Sequence, residues 1–300
     1  ILVLISVFIF FNVIMILQSY KLTHFFDPPK QGIDTSNNHS FFSILAGLSY
    51  YKDINEPPPT VPFQNIELVT HDNEKLAAWY IPAAAAKGTI LLYHGHGENK
   101  SKVLCQAMVF HKLHYNLLLT DFRAHGLSSG NLFSVGINEA ADIKAGWDFI
   151  VQKGEKNILL YGISLGASTI INAVYEYHLK PNKVILDLPF ASIFDAVQGK
   201  ISSVGLPPNP LSFFVCLWGS IFIQHWAWGF KPYLYAKAIH CPTIIQEGFL
   251  DNRVKPSEIE AIFKNIQTND KFIIIYARSS HENLCKKEYL KFFQVMSEFL

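Results

Sequence analysis

The sequence predicts an α/β protein with a mostly parallel sheet. From residue 89 onward, short apolar runs alternate with helical stretches, and each run has the length and composition of a strand buried on both faces. Strands that alternate with helices form βα units on a parallel sheet, and their crossovers are right-handed. At 300 residues, the chain has room for one sizeable domain with appendages.

The predicted strands begin with a hairpin and continue into the parallel sheet. Residues 65–70 and 76–81 are short extended runs joined by Asp72-Asn73, which is a hairpin signal. Later strands are predicted at residues 89–93, 116–120, 157–161, 183–186, 243–246 and 272–275. Helices are predicted at residues 101–113, 138–152, 165–177, 256–266 and 288–300. These elements assign residues 63–300 to one α/β domain.

One segment of this domain, residues 191–237, has no clean strand–helix unit. It contains LSFFVCLWGSIFI at residues 211–223, followed by Trp226 and Trp228. Thirteen residues are too few to span a bilayer comfortably, since about 17–25 are needed. The segment is interpreted as a helical lid over the sheet; an ordinary core helix is the alternative, and contact of the lid with lipid is not assigned.

The first 20 residues are interpreted as a single-pass transmembrane anchor. ILVLISVFIFFNVIMIL at residues 1–17 is apolar apart from Ser6 and Asn12, and no helical or strand period divides it into two faces. The alternative is the core of a signal peptide, which usually runs about 7–15 residues before small residues at a cleavage site. Here residues 18–21 read QSYK, and no A-x-A follows.

Residues 21–62 are interpreted as a juxtamembrane connector. They are irregular and rich in proline, which disfavours helix in the residues before it. A short helix near the bilayer surface is a hypothesis for residues 41–48. The chain starts with Ile rather than Met, so we expect an N-terminal stretch to be missing. Because flanking charges set orientation, the side of the membrane is not assigned.

Composition excludes some partners and leaves other properties open. The net charge of +1 gives no basic surface for nucleic acid. The oligomeric state is not assigned. The cysteines lie far apart without a CxxC pair, so free buried thiols are favoured and a disulfide is left open. They are Cys105, Cys216, Cys241 and Cys285.

The motif GISLG at residues 162–166 marks Ser164 as the candidate nucleophile. It matches G-x-S-x-G, follows the buried run NILLY and opens a predicted helix. The chemistry needs this context, because the serine must sit on a strained strand-to-helix turn with glycines where backbones pass closely. A glycine-rich turn without chemistry is the alternative.

A serine hydroxyl needs a neighbouring base, and that base needs an orienting acid. His281 follows the last predicted strand and is the candidate base. Asp251 lies in the loop after the preceding strand and is the candidate acid. Asp187, after the strand at residues 183–186, competes for the acid role, and the alternative is that it supports the adjacent turn.

The glycine-rich turn HGHG at residues 94–97 predicts an oxyanion hole. The backbone N–H groups of His96 and Leu165 are the candidate donors, with that of Gly97 as the alternative to His96. H-x-H can also ligate metal, but ligands at a convincing spacing are missing, so neither a metal nor a cofactor is predicted.

The loop DFRAHGLSSG at residues 121–130 closes the strand before it. Asp121 and Arg123 are interpreted as a structural pair that bonds local backbone. Because the loop flanks the site, a substrate-shaping role is the alternative. The candidates for that role here and in the HGHG turn are His94, Gly95, Gly97, Arg123 and His125.

Taken together, these motifs resemble the α/β-hydrolase superfamily. The matching parts, over residues 63–300, are HGHG, DFRAHGLSSG, GISLG, GFLDNRV at residues 248–254 and SSHEN at residues 279–283. The anchor and the opening THDNEKLAAWYIP are similar to the membrane-anchored branch with acyl-protein thioesterase-like and serine-aminopeptidase-like hydrolases. The resemblance implies an eight-stranded core, no cofactor and an acyl-enzyme. Glu247 departs from it, since that branch usually has histidine there, and His281 follows two serines rather than a glycine-rich turn.

The sequence therefore predicts a membrane-anchored serine hydrolase. The expected substrate is a small-molecule or lipid-like acyl ester or thioester, attacked by Ser164 with His281 as base and Asp251 as acid. One alternative is a serine aminopeptidase. Another, from a different class, is a catalytically silent domain that acts as a membrane-tethered binding module.

Overall fold

The computed structural model describes residues 1–28 and 50–300. The short helix expected at residues 41–48 lies outside the described residues. The strands are β1 (Phe25–Phe26), β2 (Tyr50–Tyr51), β3 (Gln64–Val69), β4 (Lys75–Ile81), β5 (Thr89–Tyr93), β6 (Asn116–Thr120), β7 (Ile158–Ile163), β8 (Lys183–Asp187), β9 (Thr243–Gly248) and β10 (Lys271–Tyr276). The helices are α1 (Leu2–Thr23), α2 (Leu104–Lys112), α3 (Ala140–Gln152), α4 (Leu165–Glu176), α5 (Ile193–Ser203), α6 (Leu211–Ile223), α7 (Pro232–Tyr235), α8 (Pro256–Asn265), α9 (Leu284–Lys287) and α10 (Tyr289–Phe299).

Within the described residues, the main sheet has eight strands in the order β10-β9-β8-β7-β5-β6-β4-β3. The strands from β10 to β6 are all parallel, whereas β3 and β4 form an antiparallel hairpin that joins β6. The predicted mostly parallel α/β architecture is confirmed. Its central strands are covered on both faces, and alternate residues enter opposite halves of the core, such as Leu160 on one face and Tyr161 on the other.

The strand order places the candidate site at one edge of the sheet. The chain passes from β5 to β6 on one side and later to β7 on the other side of β5. Such a reversal opens a crevice at the carboxyl ends of the strands, which is where open α/β sheets bind ligands. The loops that follow β5, β7, β9 and β10 all begin at this edge.

The predicted lid is helical. Residues 191–237 lie between β8 and β9 and contain α5, α6 and α7. Helix α6 is followed by a bend of 99° into the segment Ala227–Ala238. Together α6 and this segment are long and apolar enough for one broken span, whereas α6 alone is too short.

Helix α1 packs against the lid helix α6. It is long and apolar enough to cross a membrane, since 22 residues rise about 33 Å. The helix continues to Thr23 rather than ending at residue 20, so it takes in the first residues of the predicted connector. The Ser19 hydroxyl donates to the Val215 carbonyl at 3.1 Å, and the Trp218 indole N–H donates to Asn12 at 3.2 Å.

Both described ends of the connector are ordered against the α/β domain. Strands β1 and β2 pair in parallel. Phe25 is buried, and its ring lies 4.4 Å from that of His125 and 5.3 Å from that of His96. The ring of Tyr50 lies 5.4 Å from that of His96 and 5.7 Å from that of Phe25. The chain therefore returns from α1 directly onto the HGHG turn.

The preference for free thiols is wrong for two of the four cysteines. Cys105 on α2 and Cys285 on α9 form a disulfide, while Cys216 and Cys241 are free. The bonded pair is 180 residues apart in sequence, but its Cα atoms are 6.1 Å apart. Tertiary packing brings α9 onto α2, so the spacing of the cysteines in the sequence does not predict that these two are bonded.

Candidate active site

The turn between β7 and α4 holds Ser164 in a strained conformation. Its φ is +50° and its ψ is −106°, a region that non-glycine residues rarely adopt. A Cβ on Gly162 would lie 2.4 Å from the Gly166 carbonyl carbon, and one on Gly166 would lie 2.5 Å from the Tyr93 carbonyl oxygen. Both glycines of the motif are therefore required by close backbone packing around the serine.

Three side chains from three loops form one hydrogen-bonded row. The Ser164 Oγ lies 3.0 Å from His281 Nε2, and His281 Nδ1 lies 2.8 Å from Asp251 Oδ2. The other oxygen of Asp251 accepts the backbone N–H groups of Arg253 and Val254 at 2.7 and 3.0 Å. Burial alone would raise the pKa of Asp251, but His281 and these N–H groups bring it below its ordinary value. Asp251 is therefore an ionised acceptor for the imidazole N–H.

The loop that carries His281 is held from several sides. The Asn283 amide donates to the Lys102 carbonyl at 2.8 Å, and the disulfide at Cys285 follows two residues later. The loop that carries Asp251 begins in close contact with the His281 loop, because a Cβ on Gly248 would lie 2.5 Å from the Ser279 and Ser280 carbonyl oxygens. The loop thus has a fixed geometry even though two serines stand where a glycine-rich turn is usual.

Asp187, the competing acid, lies beneath the row in a different network. Its carboxylate accepts the Tyr161 hydroxyl at 2.5 Å and the Gln246 amide at 2.6 Å. Burial raises its pKa to about 7, against the opposing effect of these two hydrogen bonds. Its backbone carbonyl accepts the Ser164 N–H at 2.7 Å. Asp187 is thus placed to support the end of β7 rather than to orient His281.

The candidate oxyanion residues lie beside the serine. His96 and Leu165 line the same cavity as Ser164 and His281. Leu165 is the first residue of α4, so its N–H is one of the four that a helix N-terminus leaves unpaired. In the HGHG turn, the Gly95 N–H donates to the Glu98 carboxylate at 3.0 Å, so it is already engaged.

None of the five substrate-shaping candidates is among the residues that line this cavity. The His94 ring accepts the Phe122 N–H at 3.1 Å, so its other nitrogen donates to the Gly95 carbonyl at 2.7 Å. The His125 ring is buried and bonds the Arg123 carbonyl at 2.9 Å. Gly97 has a φ of +72°, which lets the turn fold back.

The predicted Asp121–Arg123 pair is wrong. Asp121 instead accepts Lys100 at 2.7 Å, and Arg123 pairs with Asp142 on α3 at 2.8 Å and with Asp72 at 2.6 Å. The partners come from other elements because the two side chains leave the loop in different directions. Within the described ranges, no cluster of three histidine, cysteine, aspartate or glutamate side chains is arranged to hold a metal ion.

The site opens into a largely apolar cavity that sequence reasoning did not outline. Its walls come from helix α1 and from residues 191–237 as well as from the loops around Ser164. The lining residues of α1, α5 and α6 include Ser19, Leu22, Thr23, Ile193, Val197, Lys200, Ile201, Val215, Gly219 and Ile223. Arg253 and Val254, beside the acid, complete the wall near the serine. No pattern in residues 1–23 indicated that α1 contributes to the site.

Comparison with known proteins shows which proteins share this fold. A family model described as serine aminopeptidase, S33, matches residues 84–209. Among solved structures, an esterase of Pyrococcus furiosus, Pf2001, superposes with a TM-score of 0.68 over 83% of this chain and 98% of its own, at 22% identity. The chain has the α/β-hydrolase fold. A second solved structure, the esterase EaEST of Exiguobacterium antarcticum, gives a TM-score of 0.59 at 17% identity, over 79% of this chain and 99% of that one.

Two curated relatives are also similar in sequence over part of the chain. The uncharacterized membrane protein YNL320W of Saccharomyces cerevisiae is 20% identical over 225 residues, which are 74% of this chain and 75% of that protein. The uncharacterized protein YfhR of Escherichia coli K12 is 26% identical over 160 residues. That alignment covers 50% of this chain and 55% of YfhR, so the chain spans little more than half of that relative.

Proposed function

We propose that the protein is a serine hydrolase that cleaves an acyl ester or thioester through an acyl-enzyme on Ser164. The observation that carries the proposal is the hydrogen-bonded row from Ser164 through His281 to Asp251. The family model and the esterase structures, which share the fold, support a hydrolase of this type.

In the proposed mechanism, His281 accepts the Ser164 proton as Oγ attacks the acyl carbonyl carbon. Asp251 holds the imidazole in the correct tautomer and stabilises the imidazolium. The N–H groups of His96 and Leu165 stabilise the oxyanion, where each such donor is worth about 2.7–4 kcal/mol. His281 then protonates the leaving alcohol or thiol, and a water molecule attacks the acyl-enzyme to release the acid.

The cavity wall favours an acyl substrate with an apolar chain. Its side chains from α5 and α6 are mostly aliphatic, and apolar surfaces bury a hydrocarbon chain at about 25 cal/mol per Å². Among the described residues that line the cavity, none carries a carboxylate. An aminopeptidase must bind a positively charged amino terminus, so this wall argues against peptide substrates and for esters or thioesters.

We further propose that α1 is a single-pass membrane anchor. Its exposed face is apolar along most of its length, with Leu4 73% and Phe10 60% exposed. The end of α1 that carries Ser19 and Thr23 also forms part of the cavity wall. The acyl site would then lie close to the membrane surface, which suits a lipid-like substrate.

Turnover of a graded ester series tests this function. The full chain in detergent is offered p-nitrophenyl esters from C2 to C16, a thioester and an aminopeptidase substrate, beside a Ser164→Ala variant. We expect ester hydrolysis by the unmodified chain and its loss in Ser164→Ala. A folded chain that turns over none of these esters would act as a binding module, and equal turnover by both chains would remove Ser164 from the mechanism.

A further inference from the structure

Two cations stand in the wall of the otherwise apolar cavity. Lys200 is on α5, Arg253 is in the loop between β9 and α8, and both line the cavity with Ser164 and His281. In the part of the chain that the structure describes, neither side chain forms an ion pair or donates a hydrogen bond. The Lys200 ammonium lies 5.9 Å from the centroid of the Tyr50 ring.

Among the described residues, the two cations classed as buried are both paired. Lys100 bonds the carboxylates of Glu56 and Asp121, and Arg123 bonds those of Asp72 and Asp142. Removing an unpaired charge from water is costly, so buried charges are normally compensated within the protein. Lys200 and Arg253 are half-buried and uncompensated, and both face the cavity beside the candidate nucleophile.

The two charges also act on each other and on the oxyanion turn. Burial lowers the pKa of Lys200, and the positive charge of Arg253 lowers it further. The pKa of His96 is lowered by burial first, and the charges of Lys200 and Arg253 add to the effect. Both cations line the same cavity as His96 and Ser164, and a Cβ on Gly199, next to Lys200, would lie 2.1 Å from the Arg253 carbonyl oxygen, so the two residues are neighbours in this wall. An anion between them would relieve the repulsion.

We propose that Lys200 and Arg253 bind a phosphate group carried by the acyl substrate next to its scissile bond; this rests on the function proposed above. Two positive charges match a phosphate monoester, which carries about −1.5 to −2 near neutral pH. A guanidinium can also hold two phosphate oxygens at once. The acyl chain would then lie along α5, α6 and α1, while the phosphate lies between the two cations. The expected substrate is therefore an anionic acyl amphiphile, such as an acylated glycerol phosphate.

A matched pair of substrates tests the proposal. The full chain in neutral vesicles is given a monoacylglycerol and the 3-phosphate of the same monoacylglycerol, and kcat/KM is measured for each. We expect a preference for the phosphorylated ester that falls about tenfold in Lys200→Gln and in Arg253→Gln, mainly through KM, because a charge-assisted hydrogen bond is lost. Lys200→Arg should keep most of the preference.

Lys264→Gln is the matched control, since Lys264 is an exposed lysine on α8 that pairs only with Glu260 one turn away. Its preference should equal that of the unmodified chain. Labelling of every variant by a fluorophosphonate probe reports an intact site. Competition by inorganic phosphate is measured as well. If phosphate inhibits hydrolysis of the ester, and does so less strongly in Lys200→Gln, the site also binds free phosphate. If phosphate does not inhibit, the site recognises only the phosphate of the substrate head group.

Two results would overturn the phosphate site. One is an unmodified chain that reacts with the probe but hydrolyses both esters equally well. The other is a preference that Lys200→Gln and Arg253→Gln leave unchanged. A folded chain that does not react with the probe would instead contradict the proposed function itself, so the two failures are distinguishable.

Discussion

Replacement of His281 by alanine is expected to lower kcat for ester hydrolysis by about 10⁵–10⁶-fold. Loss of the base in a serine triad costs about as much as loss of the whole triad, because the three groups act as a unit. Here the imidazole is the only group that joins Ser164 to Asp251, through contacts of 3.0 and 2.8 Å. Burst and steady-state release of p-nitrophenol from a short-chain ester measure the effect.

His240→Ala is the control for this change, since His240 is an exposed residue just before β9. It should keep the kcat of the unmodified chain. If His281→Ala retained more than a tenth of the activity with a wild-type burst, another group would have to serve as the base.

Replacement of Asp251 by asparagine is expected to lower kcat by about 10⁴-fold. Asparagine keeps the shape of the side chain, but its amide can donate to His281 Nδ1 and so favours the wrong tautomer of the imidazole. The backbone hydrogen bonds from Arg253 and Val254 can persist to the remaining carbonyl oxygen, so the loop should stay folded. Steady-state kinetics with the same ester measure the loss.

Asp187→Asn is the matched comparison, because Asp187 is the other carboxylate near the serine. We expect its kcat to change by less than about tenfold, since its oxygens are bonded to Tyr161 and Gln246 rather than to His281. Its effect should appear in stability. The pKa of Asp187 in the folded chain is raised to about 7, which means that folding disfavours its charged form. The contribution of Asp187 to the free energy of unfolding therefore falls as the pH rises from about 4 to 7. Equal losses of kcat in both variants would contradict the assignment of the acid.

The fold and the three central residues of the site were predictable because the patterns that indicate them can be read along the sequence. Leucine and isoleucine runs marked the buried strands, and the glycines around Ser164 marked the turn that close backbone contacts require. His281 and Asp251 were identifiable by chain order, since each lies in the loop after a strand that ends at the same edge of the sheet. Their roles in catalysis stay predictions.

The features that sequence reasoning missed depend on contacts between distant elements. Cys105 and Cys285 meet only because α9 packs on α2. Phe25 and Tyr50 looked like parts of an irregular connector, yet both of their rings pack against the His96 ring. Arg253 stands two residues after the acid, and only the three-dimensional structure brings Lys200 on α5 into the same cavity.

The most direct test of the central claim is to map the adduct of a fluorophosphonate probe on the folded chain. Ser164 Oγ should be the reacting atom, because His281 Nε2 lies 3.0 Å away and can accept its proton. We predict one adduct, located by peptide mass spectrometry on Ser164 and absent from Ser164→Ala. An adduct on another residue, or none on a correctly folded chain, would contradict the account.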